Sequence, residues 1–171
     1  MKNKLHGILR FILLFTAFFF QGSPVIKRFE VGSALPNILF VLLFVYALFL
    51  KDTEVVSYAV FFGTMADLLF GKIYGIITLL LLLFVCLYIL LNRYIYTERI
   101  WVVMVYCFIA SFFYETLLLS INTAIWKEAV LSVPVVKILI TRCCYNSVVC
   151  IPVFYVARKI HRLKQEVRID G

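Results

Sequence analysis

Four ionisable side chains stand inside long apolar stretches of this sequence, where charge is least expected: Asp67, Glu115, Lys137 and Arg142. Charged groups in such stretches usually face the interior of a protein or a polar cavity. Because two acids and two bases can neutralise one another, interhelical ion pairs are the simplest interpretation. A binding or transport site for a polar ligand is the alternative.

The sequence lacks the residues that an enzyme active site would need. The two histidines, His6 and His161, stand near the chain ends, so no serine or cysteine in an apolar stretch has a neighbouring imidazole base. The sequence contains neither a phosphate-binding glycine loop nor a metal-ligand spacing. The cysteines form no CxxC pattern and are expected to be small core residues. We therefore predict a protein that is not an enzyme and that carries no cofactor or metal.

The composition predicts an integral membrane protein. The chain has 171 residues, 64% of them hydrophobic, and a mean hydropathy of +1.04. Soluble domains contain roughly 45–50% apolar residues. The apolar residues also fall in blocks long enough to cross about 30 Å of hydrocarbon as helices. We predict one all-α membrane domain over residues 1–171.

The apolar blocks predict a bundle of six transmembrane helices. Their predicted bounds are 5–21, 35–50, 55–70, 73–91, 100–121 and 133–156. Residues 1–21 could also be a cleaved signal peptide, but the sequence after Gln21 is a poor cleavage site. Pro36 is expected in the first turn of the second helix, where proline is tolerated. Pro152 is expected to bend the sixth helix.

Basic residues indicate the orientation in the membrane. One side would hold eleven of them: Lys2, Lys4, Arg10, Lys51, Arg93, Arg99, Arg158, Lys159, Arg162, Lys164 and Arg168. The other side would hold four: Lys27, Arg28, Lys72 and Lys127. Since cytoplasmic loops carry the excess of lysine and arginine, both termini are predicted to be cytoplasmic. The formal charge of +8 is therefore read as a topology signal and not as a nucleic-acid surface.

The basic cytoplasmic tail, residues 157–171, has two interpretations. It could contact anionic lipid or a cytoplasmic partner. It could equally be a plain stop-transfer anchor.

The four buried charges are expected in the same half of the membrane. Depth is counted here from the helix ends on the external side of the membrane, opposite the predicted cytoplasmic termini. Asp67 then lies roughly 5 Å deep, Glu115 roughly 9 Å, Lys137 roughly 6 Å and Arg142 roughly 13 Å. We predict that Asp67 pairs with Arg142 or Lys137. Such pairs would lock the third, fifth and sixth helices together.

Small and polar residues recur every four positions, which places them on single helix faces. The three stripes are Ala59-Gly63-Asp67-Gly71, Cys107-Ser111-Glu115 and Arg142-Asn146-Cys150. Small residues let a neighbouring helix approach closely, so these faces should meet inside the bundle. The leucine run 79–83 has no polar face, and lipid or a partner helix is its expected neighbour.

The glycines around Asp67 resemble a known family signature. The segment 62–75 contains Gly63, Asp67, Gly71 and, four residues later, Gly75. We expect Gly71 and Gly75 to form a tight turn that needs glycine backbone freedom. With Pro36-Asn37 at the start of the second helix, this pattern resembles the bacterial rod-shape-determining MreD family.

The end of the chain resembles the same family. Arg142 and Asn146, followed by Pro152 and the basic tail, are similar to that family's last helix. The resemblance covers nearly the whole chain. It implies a multi-pass protein of the bacterial cytoplasmic (inner) membrane.

The resemblance also implies a function and partners. It suggests a non-enzymatic scaffold of the cell-elongation machinery, which makes peptidoglycan. MreC, the actin-like MreB, the glycosyltransferase RodA and a class B penicillin-binding protein would be the partners, and no nucleic acid.

The family is also similar in architecture to the S-components of energy-coupling-factor vitamin transporters, which supplies an alternative function. S-components usually carry an alanine-rich motif on their first helix. Residues 11–20 contain a single alanine, which counts against transport.

Overall fold

A computed structural model describes residues 2–71, 73–92, 99–126 and 133–169, and the side chains of residues 7–71, 73–91, 99–125 and 134–161. The topology prediction also used basic residues whose side chains lie outside these ranges, namely Lys2, Lys4, Lys72, Arg93, Lys127 and those beyond His161. Across the described residues the chain is helical. The helices are α1 Lys2–Gly22, α2 Ile38–Phe49, α3 Asp52–Phe70, α4 Ile76–Asn92, α5 Ile100–Trp126 and α6 Val133–Ile169.

Three of the helices are long and apolar enough to cross a membrane within their described parts: Asp52–Phe70, Ile100–Ile125 and Pro134–His161. The other three contain shorter apolar stretches, Gly7–Gly22, Ile38–Phe49 and Ile76–Leu91. The shortest, α2, has 12 residues and is about 18 Å long, whereas the hydrocarbon layer is about 30 Å thick.

The centre of the bundle is α2. Its sequence from Ile38 to Phe49 is apolar all round, and all residues 39–47 are buried. It contacts each of the other five helices. A helix without a polar face is stable only when it is surrounded, so composition explains why the shortest helix lies in the middle.

The start of α2 differs from the prediction. We predicted a helix over 35–50 with Pro36 in its first turn, but Pro36 precedes the helix and Asn37 is its N-cap. The side chain of Asn37 accepts a hydrogen bond from the backbone N–H of Phe40. Asparagine is among the best N-cap residues, so it sets the start of the helix at Ile38.

The linker between α1 and α2 folds back onto the bundle. A 3-10 helix, Pro24–Phe29, follows the cap residue Ser23, and its Ile26 is buried. A tight turn follows, in which Gly32 and Ser33 both have positive φ. The linker thus covers the end of the bundle at which α2 begins.

The leucine run 79–83 is divided between two environments. Leu79 and Leu83 are exposed on the surface, while Leu80 and Leu81 are buried in the core. The prediction of lipid or a partner helix as neighbour therefore applies only to the exposed face. Pro152 lies inside α6, as expected.

Candidate functional site

Amide side chains from three parts of the chain cap the N-terminus of α2. Asn37 Oδ1 accepts from the N–H of Phe40 at 3.1 Å, and Gln21 Oε1 accepts from the N–H of Leu39 at 3.0 Å. The N–H of Asn37 donates to Asn146 Oδ1 at 2.8 Å. First-turn amides have no acceptor within their own helix, and leaving one unsatisfied in a membrane costs several kcal/mol. These contacts allow α2 to begin inside the bundle.

The polar stripes of α5 and α6 face each other. Arg142 Nη1 donates to Glu115 Oε2 at 2.8 Å, and Asn146 Nδ2 donates to Ser111 Oγ at 2.9 Å. One turn further, Cys107 Sγ lies 3.8 Å from the carbonyl oxygen of Asn146. The predicted meeting of these two stripes is confirmed. Asn146 therefore joins the cap of α2 to the α5–α6 contact.

In the Glu115–Arg142 ion pair, the glutamate is buried and the arginine is partly exposed. The side chain of Glu115 is 7% exposed and that of Arg142 is 34% exposed. Nε of Arg142 is buried and finds no hydrogen-bond partner among the described residues. The pair thus keeps unused hydrogen-bonding capacity.

Asp67 caps the N-terminus of α4 from the neighbouring helix. Its Oδ1 accepts from the N–H of Ile77 at 2.9 Å, and its Oδ2 accepts from the N–H of Thr78 at 2.9 Å and from the Thr78 hydroxyl. Gly75, the residue before α4, has no side chain that could accept these hydrogen bonds. A carboxylate at a helix N-terminus satisfies free amides and interacts favourably with the helix dipole. Asp67 is 2% exposed and is held by backbone amides and one hydroxyl.

The predicted pairing of Asp67 with Arg142 or Lys137 is wrong. Among the described residues neither base forms an ion pair with Asp67, because the free amides of α4 are its hydrogen-bond donors. Arg142 pairs with Glu115 instead. Lys137 is exposed and makes no ion pair with a described residue. The polar contacts therefore join α3 to α4 and α5 to α6.

Three glycines shape the α3–α4 contact. A Cβ atom on Gly63 would lie 2.8 Å from Cα of Thr78, so only glycine lets α4 come this close. Gly71 ends α3, and its N–H donates to the carbonyls of Ala66 and Asp67. Gly75 has a φ of +91°, a conformation that other residues adopt only with strain. The close approach along the α3 stripe is as predicted, but among the described residues its neighbour is α4 and not the stripes of α5 and α6. The predicted need for glycine backbone freedom is confirmed at Gly75 only. Gly71 has a φ of −73°, and the constraint there is space, because a Cβ would lie 2.6 Å from the carbonyl oxygen of Asp67.

These contacts surround a polar cavity of about 300 Å³ at the end of the bundle where α2 and α4 begin. Its polar lining consists of Gln21, Asn37, Tyr114, Glu115 and Arg142. Its apolar lining includes residues of the linker, α2, α3, α4 and α5. Within the described part of the chain, no three His, Cys, Asp or Glu side chains cluster as a metal site would.

The buried contacts of two polar residues, Arg10 and Gln21, were not predicted from the sequence. Arg10 was counted as a flanking charge, yet it is 3% exposed and pairs with Glu54 at 3.4 Å. Its position five residues inside the predicted span 5–21 was the available signal. Gln21 was read as a helix end, and nothing in its local sequence indicated that it caps α2.

Comparison with known proteins identifies the family. A family model described as rod shape-determining protein MreD matches residues 1–161. No curated protein and no solved structure matches the chain. The matched family consists of shape-determining proteins associated in general with the MreB/MreC machinery and is not a known enzyme family. The match also agrees with helices that can cross a membrane. This multi-pass membrane protein therefore belongs to the MreD family of rod shape-determining proteins.

Proposed function

We propose that the protein is a non-enzymatic scaffold of the cell-elongation machinery in the bacterial cytoplasmic membrane. The family match over residues 1–161 is the observation that carries this proposal. In this role the chain binds MreC and works with MreB, RodA and a class B penicillin-binding protein. The basic tail adds contacts with anionic lipid or with a cytoplasmic partner.

The arrangement of buried polar groups supports a structural role. Asp67 and Asn37 cap helices, Asn146 bridges three elements, and Glu115 pairs with Arg142. Hydrogen bonds between buried polar groups on different helices hold a bundle rigid and specify one arrangement of its helices. A rigid membrane bundle suits a protein that positions others.

A strain in which this protein can be depleted tests the scaffold. We expect rod-shaped cells to become round or swollen, because the protein organises wall synthesis and does not perform it. Co-purification in mild detergent should recover MreC and cell-wall synthases. Cells that keep their shape after depletion, with no MreC recovered, would overturn the proposal.

The proposed topology has six crossings and both termini in the cytoplasm, with the polar cavity facing outward. The charge asymmetry supports it, and the linker that folds over the start of α2 offers a way for so short a helix to complete a crossing. Reporter fusions at Arg93 and Arg162 should read cytoplasmic, and fusions at Ser33 and Lys127 external. A cytoplasmic signal at Lys127 would contradict six crossings.

The cavity favours a second candidate function, that of an S-component of a vitamin transporter. A polar cavity of about 300 Å³ within a helical bundle could hold a small substrate. Under this alternative, co-purification would recover paired ATPases with a large membrane coupling protein. Depletion would then abolish vitamin uptake and leave cell shape unchanged.

A further inference from the structure

The polar cavity has unused hydrogen-bonding capacity at the Glu115–Arg142 pair. Arginine has five N–H donors, and Arg142 gives one of them, on Nη1, to Glu115 Oε2. Its buried Nε has no acceptor among the described residues. Glu115 lines the same cavity beside it. Buried donors without acceptors are rare, so we expect something in the cavity to supply one.

The walls of the cavity favour a partly apolar occupant over water alone. Leu35, Leu39, Leu81 and Leu118 line it together with the ion pair. A buried water needs two to four polar partners, which the polar residues of the lining can provide but the leucines cannot. Pockets with apolar walls and a few placed polar groups are typical of small-molecule sites. The volume of about 300 Å³ suits a small molecule.

We propose that this cavity binds a small zwitterion with a primary ammonium group, an oxyanion and an apolar portion. The oxyanion accepts hydrogen bonds from Arg142, the ammonium donates to Glu115, and the apolar portion lies against the leucines. Because the pair has no net charge, a zwitterion leaves no uncompensated charge in the cavity, whereas a simple anion or cation does. This inference does not depend on the scaffold role.

Two kinds of molecule share this chemistry. One is a free amino acid with an apolar side chain, and the other is the headgroup region of phosphatidylethanolamine. Arg142 is the more exposed member of the pair, so the oxyanion end of either molecule can reach its partner first.

The first test measures thermal unfolding of the wild-type protein in detergent with three matched probes. L-leucine carries both charged groups, 4-methylpentanoate lacks the ammonium, and 3-methylbutylamine lacks the carboxylate. If the ligand is a free amino acid, we expect leucine to stabilise the protein at concentrations at least ten-fold lower than either analogue.

The second test compares how well the protein retains phosphatidylethanolamine and phosphatidylcholine in native mass spectrometry, since the choline headgroup has no N–H to donate. There we expect at least ten-fold preference for phosphatidylethanolamine.

Selectivity in either arm supports the proposal and identifies the source of the ligand. If leucine is no better than its analogues and neither lipid is preferred, the cavity holds water only and the proposal is wrong.

Variants then assign the selectivity to the ion pair. Glu115→Gln should remove the preference for the ammonium, and Arg142→Gln should remove the preference for the oxyanion. Glu54→Gln, the same substitution in the Arg10–Glu54 ion pair, is the matched control and should change neither. If a single variant fails to fold, the double variant Glu115→Gln with Arg142→Gln removes both charges together. Unchanged selectivity in the folded cavity variants, or equal loss in the control, would overturn the assignment.

Discussion

Asp67 and Glu115 are both buried carboxylates, yet they are stabilised in different ways. Glu115 is paired with a cationic side chain, Arg142. Asp67 is held by two backbone amides and the Thr78 hydroxyl at the start of α4. A side-chain partner can be exchanged by mutation, whereas a backbone partner cannot. The two sites should therefore respond differently to the same kinds of substitution.

Asp67→Ala should have the largest effect on stability. It leaves the N–H groups of Ile77 and Thr78 and the Thr78 hydroxyl without their acceptor, at about 1–3 kcal/mol for each group. Unfolding in mixed detergent micelles measures the loss. Asp67→Asn keeps one acceptor oxygen and should be intermediate. A stable Asp67→Ala protein would show that the cap is dispensable.

An exchange of charges separates this cap from an ion pair. Because Asp67 is bonded to α4 and not to Arg142, the double variant Asp67→Arg with Arg142→Asp should be no more stable than Asp67→Arg alone. Recovery of stability in the double variant would argue that the two residues interact.

Arg142→Leu should come next, at about 3–5 kcal/mol, because it leaves Glu115 buried without its partner. The double variant Glu115→Leu with Arg142→Leu removes both charges and should regain much of the lost stability. The same unfolding assay measures both proteins. A double variant as unstable as the sum of the single variants would rule out the pair as the cause.

Gly63→Ala should cost about 1–3 kcal/mol by overpacking the α3–α4 contact. The new Cβ would lie 2.8 Å from Cα of Thr78, so α4 must move away from Asp67. Its effect should therefore be smaller in the Asp67→Ala background, where the cap is already lost. Strictly additive effects would indicate that Gly63 and Asp67 act independently.

Glu54→Gln should have the smallest effect, about 1 kcal/mol, because the glutamine side-chain oxygen can still accept a hydrogen bond from the buried Arg10. Its pair with Arg10 is longer, at 3.4 Å, and its side chain is 39% exposed. The unfolding midpoint should stay close to that of the wild type. A loss as large as that of Arg142→Leu would show that the negative charge of Glu54, and not a hydrogen bond alone, stabilises the buried Arg10.

Part of the site could be predicted from four-residue spacing. Residues four apart share a helix face, so Ser111 and Glu115 had to face one direction, as did Arg142 and Asn146. Their complementary chemistry predicted that the two faces meet, and they do. Gln21 could not be found in this way, because its acceptor role exists only where α1 and α2 come together.

The apolar sequence by itself determined that this is a helical protein of the membrane, because backbone groups in lipid must be satisfied within helices. Spacing also determined which residues share a face. Only the tertiary structure decided which hydrogen-bond donors pair with each buried carboxylate. The N–H groups at the start of a helix are present in every sequence, so no residue pattern marks them as partners. Asp67 reaches those of α4 because Gly63 allows that helix to pack closely enough.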